Sequence, residues 1–300
     1  MASMRDIQRR KTSIQSTEQI TKAMKLVATV KLQKARVRAE QAKPYFEHMY
    51  ESVTSMLSRS GNLNHKYLKA GESDKKAVIV ITSNRGLAGG YNNKITKLLT
   101  KDDDFSKDKV VTYVIGRKGK ENLVRSGYEI KEDFSEVVNE PIYRDAMEIA
   151  EKVLEGFENG EFGEVYIAYT AFKNTVSHIP TMLKVLPVST EEGIEEETEK
   201  SAPQDETSEA RLERLTLMNY EPSDEEALDL IIPKYVSSLI YGALIEAVAS
   251  ENGARMAAMD SATSNADEMI ADLSLMYNRA RQSSITQELT EIIAGAEAIS

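Results

Sequence analysis

The sequence predicts a Rossmann-like α/β domain between two long terminal helices that pair as an antiparallel coiled coil. Three observations support this fold class. Residues 4–60 contain one proline and no glycine, residues 223–300 contain one proline and three glycines, and apolar strand-like runs alternate with helical runs between them. Because globular helices average about 11–12 residues, neither terminal segment is an ordinary helix on a small core.

The N-terminal segment, residues 1–60, is predicted to be a coiled-coil helix with a narrow apolar seam. It is rich in good helix formers, and a continuous helix over its length would reach about 85 Å. Ile20, Met24 and Val27 follow an i, i+4, i+7 stripe. The seam also contains small residues, namely Ala23, Ala28 and Ala35. A narrow seam of this kind favours two paired helices over a bundle core.

The middle of the chain, residues 61–188, is predicted to be the α/β domain. After a loop, strands are expected at residues 77–82, 110–115, 165–170 and 181–187, and helices at residues 92–100, 118–126 and 142–157. Continuous apolar strands that alternate with helices indicate a parallel sheet covered on both faces. The short connection before the fourth strand indicates an antiparallel edge.

The last third of the chain divides into an acidic stretch and a second long helix. Residues 189–222 are charged and poor in apolar side chains, so we expect a mobile loop. A helix is predicted over residues 223–300, with a capping box from Ser223 to Glu226 and a kink at Pro233. Its apolar face is expected to resume at Val236, Leu239 and Ile240. Alanines are expected to give it a smooth surface; they are Ala243, Ala247, Ala249, Ala254, Ala257, Ala258 and Ala262.

Composition excludes several classes of protein. The chain has no cysteine, three dispersed histidines and no apolar run of about 18 residues, so we expect no disulfide, no metal site and no membrane span. Residues 1–40 contain ten basic and three acidic residues, and residues 190–230 contain three basic and fifteen acidic ones. The basic helix suits an acidic protein partner. Nucleic acid is disfavoured because the chain carries a net charge of −10 and its first forty residues contain no aromatic side chain.

Two glycine-rich turns stand where phosphate-binding loops occur, after predicted strands. Residues 82–90 and 116–119 nevertheless match neither the Walker pattern nor the dinucleotide fingerprint, so tight strand-to-helix turns are favoured over nucleotide binding. We expect no catalytic residue and no cofactor. Acid pairs such as Glu288 and Glu291 are typical of a solvated helix face, and the methionines of the terminal segments are typical of coiled-coil packing.

Motifs at both ends and in the centre resemble one family, the gamma chain of F-type ATP synthases. They are MRDIQRR at residues 4–10, QITKAMKLVA at 19–28, ITSNRGLAGG at 81–90, YEP at 220–222, ARMAAMDSAT at 254–263 and YNRARQSSITQELTEIIAGA at 277–296. Asn84 stands where Asp is common in that family, and Ala88 where Cys is common. The resemblance covers the whole chain and is weakest at residues 100–160 and 189–215.

The resemblance implies a central rotor stalk that couples ion flow across a membrane to ATP synthesis and regulates ATPase activity. The terminal helices would lie inside a hexamer of alpha and beta chains, and the α/β domain would bind the epsilon chain and the membrane c-ring. One copy per complex, catalysis on the beta chains, and a peripheral position on the cytoplasmic face of a bacterial cell membrane would follow.

Particular residues acquire roles by the same resemblance. Lys22, Met24 and Lys25 would face an acidic lever of a beta chain. Arg255, Arg281, Gln282, Thr286 and Glu288 would make further alpha and beta contacts. Tyr220 and Glu221 would meet the polar loops of the c-ring.

Two other classes of function remain open from the residues. A coiled-coil adapter without rotary function would share the narrow seam and the basic helix, and an α/β enzyme could use nucleotide at residues 86–90. The coupling ion, the size of the c-ring, the direction of operation and the role of the acidic stretch are not encoded in any motif.

Overall fold

The computed structural model describes residues 4–59, 65–174, 177–188 and 224–299. Its elements in chain order are α1 Met4–Arg59, β1 Lys76–Ile81, α2 Tyr91–Thr100, β2 Val110–Ile115, α3 Arg117–Arg125, β3 Glu129–Asp133, α4 Tyr143–Glu158, β4 Glu164–Phe172, β5 His178–Leu186 and α5 Asp224–Ile299. The predicted acidic loop, the cap at Ser223, and the candidate residues Tyr220 and Glu221 lie outside the described residues.

The chain forms two compact units that share the long helices. One comprises Met1–Val30 with Arg255–Ser300, which we call the shaft unit, and the other comprises Lys31–Ala254, which we call the sheet unit. The compositional division of the chain at residues 60, 188 and 222 remains a prediction.

The sheet unit contains a five-stranded sheet in the order β3-β2-β1-β4-β5. Strands β1 to β4 are parallel, and β5 runs antiparallel to β4. The predicted Rossmann-like domain and its antiparallel edge are therefore confirmed. Strands β1 and β2 are almost wholly buried, because helices cover both faces of the sheet.

The sequence prediction missed one strand, β3. Its residues read Glu-Ile-Lys-Glu-Asp, and none of them is buried. An edge strand needs no continuous apolar run, because only one of its sides pairs with a neighbour and its alternate side chains can face water. The strand pairs with β2 in parallel and extends the sheet on that side.

Two apolar cores lie on opposite faces of this sheet. On one face, α4 and the sheet-unit parts of α1 and α5 pack together, with Ile149, Val236 and Ile240 fully buried. On the other face, α2 and α3 bury Ile95 and Leu123 against the strands. Each face is thus closed by helices, as the alternation of strands and helices predicted.

Helix α5 is continuous through Pro233. Val236 and Ile240 are buried as predicted, but the apolar face begins earlier, because Leu228 and Ile232 are also buried. The kink at the proline remains a prediction.

One stretch of α5 meets the length and composition of a membrane span. An 18-residue window has a mean hydropathy of 1.4, and 50% of it is buried inside the protein. The window is not an uninterrupted apolar run, because charged and polar residues such as Lys234, Ser237 and Glu246 interrupt α5. Buried core helices have the same composition, and the packing of α5 against the sheet accounts for its apolarity.

Candidate interaction surface of the terminal helices

The inner face of α1 in the shaft unit follows a heptad pattern. Its less exposed residues recur at alternating spacings of three and four; they are Met4, Ile7, Lys11, Ile14, Glu18, Thr21, Lys25 and Ala28, with Met24 beside them. Ile20 and Val27 are each 57% exposed, so the predicted stripe of Ile20, Met24 and Val27 is wrong as a seam. Thr21 and Ala28, which are smaller, take the buried places and permit close approach of the partner helix.

The inner face of α5 in the shaft unit has the same repeat. Met259, Ala266 and Leu273 are buried one heptad apart. Thr263 and Ile270 lie between them and are half-buried. Both helices therefore present narrow seams with the coiled-coil period.

Among the described residues, polar contacts join the two helices across the seam at two places. The Thr21 and Thr263 hydroxyls lie 2.8 Å apart, and the Lys25 Nζ lies 2.5 Å from the Asp260 Oδ1. As the residue number rises along α1, the partner number falls along α5. The helices are thus antiparallel, as predicted.

Charge also differs between the two helices of the shaft unit. Residues 4–30 contain six basic and two acidic residues, whereas residues 255–299 contain three basic and seven acidic ones. These segments carry net charges of +4 and −4. The negative charge of α5 therefore balances part of the positive charge of α1 within the chain itself.

The part of α5 from residue 281 to residue 296 has no buried face. None of the described residues from 281 to 296 is buried. Four large apolar residues form one stripe here; they are Ile285, Leu289, Ile292 and Ile293, which are 48%, 55%, 67% and 60% exposed. We call these four residues the tip stripe.

The tip stripe corrects the prediction of a smooth, alanine-rich helix end. Ala243, Ala247 and Ala249 are buried in the sheet unit and form no outer surface. The sequence prediction overlooked the stripe, although its i, i+4, i+7, i+8 spacing is the ordinary signal of an apolar helix face.

The candidate residues near the middle of the shaft unit occupy different positions. Lys22 is exposed, Met24 is half-buried, and Lys25 is bound to Asp260. Arg255 is half-buried on α5. Lys25 therefore serves the pairing of the helices, whereas Lys22 is available on the surface.

The remaining candidates lie together near the end of α5. Arg281, Gln282, Thr286 and Glu288 are all exposed. The Thr286 hydroxyl donates to the Gln282 carbonyl at 2.9 Å, and Ser284 lies at hydrogen-bond distance, 3.5 Å, from the Glu288 carboxylate. Their polar ends lie on the same helical segment as the tip stripe.

The glycine-rich turn after β1 is engaged in packing against α3. The Arg117 and Gly119 amides donate to the Asn84 Oδ1 at 3.0 Å and the Thr82 Oγ1 at 2.9 Å, and the Lys118 amide donates to the Ser83 carbonyl at 3.0 Å. The N–H groups that would bind a phosphate at this helix start are thus held by protein acceptors. This geometry supports the interpretation of residues 116–119 as a tight turn.

A polar cluster holds the start of α5 in the sheet unit. The Lys66 Nζ lies 3.0 Å from a Glu158 carboxylate oxygen and 3.1 Å from an Asp229 oxygen. Tyr67 also donates to Glu158, and this bond is the main cause of the lowered pKa of Glu158. The His65 Nε2 lies 3.3 Å from Asp229. These contacts tie α5 to α4 and to the segment after α1.

Comparison with known proteins gives one consistent result. A family model described as ATP synthase matches residues 3–299. The ATP synthase gamma chain of Lachnoclostridium phytofermentans is 67% identical, and the match covers 100% of this chain and 100% of that protein. The ATP synthase gamma chain, sodium ion specific, of Acetobacterium woodii is 44% identical over 99% of this chain and 98% of its own.

Solved structures share the fold at low identity. A chain from the mitochondrial ATP synthase of Euglena gracilis has a TM-score of 0.66 and 18% identity, over 99% of this chain and 94% of its own. A chain from the central stalk and c-ring of the Tetrahymena thermophila mitochondrial ATP synthase has a TM-score of 0.58 and 24% identity, over 81% of this chain and 99% of its own.

Proposed function

Because this chain belongs to the ATP synthase gamma chain family, we propose that it is the rotor shaft that transmits torque between a membrane ring and a catalytic hexamer. It is the central-stalk subunit of a membrane-associated ATP synthase complex. The function follows from the whole chain, since its relatives match over their full length.

The tip stripe is the observation that carries this proposal. Ile285, Leu289 and Ile292 are large apolar residues that stay exposed on a helix end of the chain. Exposed apolar patches on a soluble surface mark partner contacts. An apolar collar inside the alpha–beta hexamer would cover this stripe and hold the end of the shaft.

In the proposal, the candidate residues near the middle of the shaft unit contact the hexamer. In the proposal, Lys22 and Met24 face an acidic lever of a beta chain, and complementary charge favours that encounter. Arg255 contributes a further contact on α5. Lys25, which is bound to Asp260, supports this surface from within the shaft.

A second set of contacts lies towards the end of α5. In the proposal, Arg281, Gln282, Thr286 and Glu288 touch alpha or beta chains as the shaft turns. Their exposure in the free chain supports this assignment. Tyr220 and Glu221 would meet the c-ring.

The chemistry is proposed to take place on partner chains. Catalytic sites would lie on beta, the sheet unit would bind epsilon and the c-ring, and one copy of this chain would serve each complex at the cytoplasmic face of the cell membrane. The occupied amides at the start of α3 agree with a structural role of the glycine-rich turn at residues 116–119.

Reconstitution with alpha and beta chains tests the proposal. The chain contains no cysteine, so a single Asp108→Cys substitution on the exposed surface of the sheet unit gives one attachment site for a bead. We expect one copy per hexamer and rotation of the bead during ATP hydrolysis. A hexamer of equal coupled activity that lacks this chain would contradict the proposal.

A coiled-coil adapter without rotary function is not supported by the family membership. A stable homodimer with no affinity for alpha–beta hexamers would be its signature in the same reconstitution.

A further inference from the structure

The two interhelical contacts described above lie about one helical turn apart on the same seam. Thr21 meets Thr263, and Lys25 meets Asp260. Each hydroxyl also lies at hydrogen-bond distance from a carbonyl of its own helix, Thr21 from Glu18 at 2.9 Å and Thr263 from Met259 at 2.8 Å. One hydroxyl can therefore donate across the seam while the other donates to its own helix.

The apolar seam by itself discriminates weakly between registers. Its buried residues on α5 repeat every seven positions, and small side chains such as Ala28 and Ala266 make few contacts that a shift would lose. A shift by one heptad moves one helix about 10 Å along the other and presents a similar apolar surface. Polar side chains at seam positions are the usual means by which a coiled coil selects one register.

A heptad shift in either direction would separate Thr21 from Thr263, because it would bring Met256 or Ile270 opposite Thr21. A shift in one direction would bring Gly253 opposite Lys25 and leave the ammonium without its carboxylate. A shift in the other direction would bring Asp267 opposite Lys25, so the ion pair could form again. That second shift would bring Ile270 opposite Thr21, and the hydroxyl pair would be lost. The hydroxyl pair therefore opposes both shifts, and the ion pair adds to the rejection of the shift that brings Gly253 opposite Lys25.

We propose that the Thr21–Thr263 and Lys25–Asp260 pairs together lock the register of the two helices and thereby set the torsional stiffness of the shaft. These four are positioning residues, since they act through the helix pairing. The stiffness rests on the proposed function as a rotor, whereas the register is a property of the chain alone.

The register is measured first on the full-length chain. Gln19→Cys and Arg279→Cys, both at exposed positions and offset along the axis, carry spin labels for a distance measurement. Wild-type pairing should give one narrow distribution of distances between the two labels. Thr21→Val and Lys25→Met should each increase a shifted population about two- to fivefold, as expected for the loss of a partly exposed polar pair.

Matched variants separate the lock from general destabilisation. Thr21→Ser keeps a hydroxyl and should behave as wild type. Lys43→Met removes an ion pair with Glu47 within α1 and should leave the distance unchanged. The reversed pair, Lys25→Asp with Asp260→Lys, should restore one narrow distance, because the shifted register would then place an acid opposite Asp267.

Stiffness is measured in the reconstituted complex, from the angular fluctuations of a bead on the sheet unit while the hexamer is held. Lys25→Met and Thr21→Val should widen the angular distribution, and the reversed pair should narrow it again. Absence of rotation with the wild-type chain would refute the proposed function and leave the register result standing. Rotation with the wild type, together with unchanged distances and fluctuations in both variants, would refute the lock.

Discussion

Gly119→Ala tests whether the second glycine-rich turn exists for packing or for a ligand. A Cβ at residue 119 would lie 2.5 Å from the Thr82 Oγ1 and 2.8 Å from its Cγ2. In an open helix the same change stabilises by about 0.5–1 kcal/mol. Here, overpacking costs about 1–3 kcal/mol, and the strained bond from the Gly119 amide to Thr82 costs about 1 kcal/mol more.

The clash outweighs the gain in helix propensity, so we expect a net loss of about 1–3 kcal/mol in the free energy of unfolding. For a unit of this size, the melting temperature should fall by about 3–10 °C. Thermal unfolding followed by circular dichroism measures the change.

Gly86→Ala is the matched control. A Cβ there would have no atom within 4 Å, so its effect should stay within about 0.5 kcal/mol. Thr82→Ala combined with Gly119→Ala should destabilise less than the sum of the two single changes, because the clash is removed. A Gly119→Ala chain as stable as wild type would refute the packing argument.

Three further predictions concern other parts of the molecule. Glu164→Gln should cost about 1–2 kcal/mol, because Glu164 lies 3.0 Å from Lys184 and accepts from Tyr166 at 3.0 Å. Burial acts to raise the pKa of Glu164, but these bonds outweigh it and lower the pKa. The contribution of Glu164 to the free energy of unfolding should therefore be present above pH 4.5, the ordinary pKa, and be lost as the pH falls through the lowered pKa. The free energy of unfolding, measured against pH, should show this loss in the wild type and not in the Gln variant. Gly253→Ala should destabilise the sheet unit, because its Cβ would lie 2.6 Å from the His178 ring; an unchanged melting temperature would contradict this. Ile292→Ala should leave the unfolding of the free chain unchanged, since the side chain is 67% exposed, but weaken hexamer binding about 5- to 30-fold in a titration; equal affinity would show that the tip stripe is not a contact.

Strands buried on both faces could be predicted with good accuracy. The run predicted at residues 110–115 is β2, and that at 77–82 differs from β1 by one residue at each end. Such strands must be apolar throughout, and this is visible in the sequence. Strand β3 could not be recognised, because an edge position requires only that its backbone pair with β2.

The seam of the shaft was harder to assign than the existence of the helices. Ile20 and Val27 are the more apolar residues, yet Thr21 and Ala28 are buried. Hydrophobicity alone ranks these pairs the wrong way, because close helix approach selects small side chains and leaves larger ones on the flanks. The residues of the tip stripe are also large, apolar and exposed, so apolarity by itself does not indicate burial there either.

By itself, the sequence determined the class of the fold, the length of both helices and the family. These depend on period, composition and motifs, which are local properties of the chain. Only the tertiary structure decided which face of each helix is paired, that Lys25 binds Asp260, and that the first amides of α3 are held by the turn after β1. Such choices depend on which distant residues meet, and that is settled by packing over the whole chain.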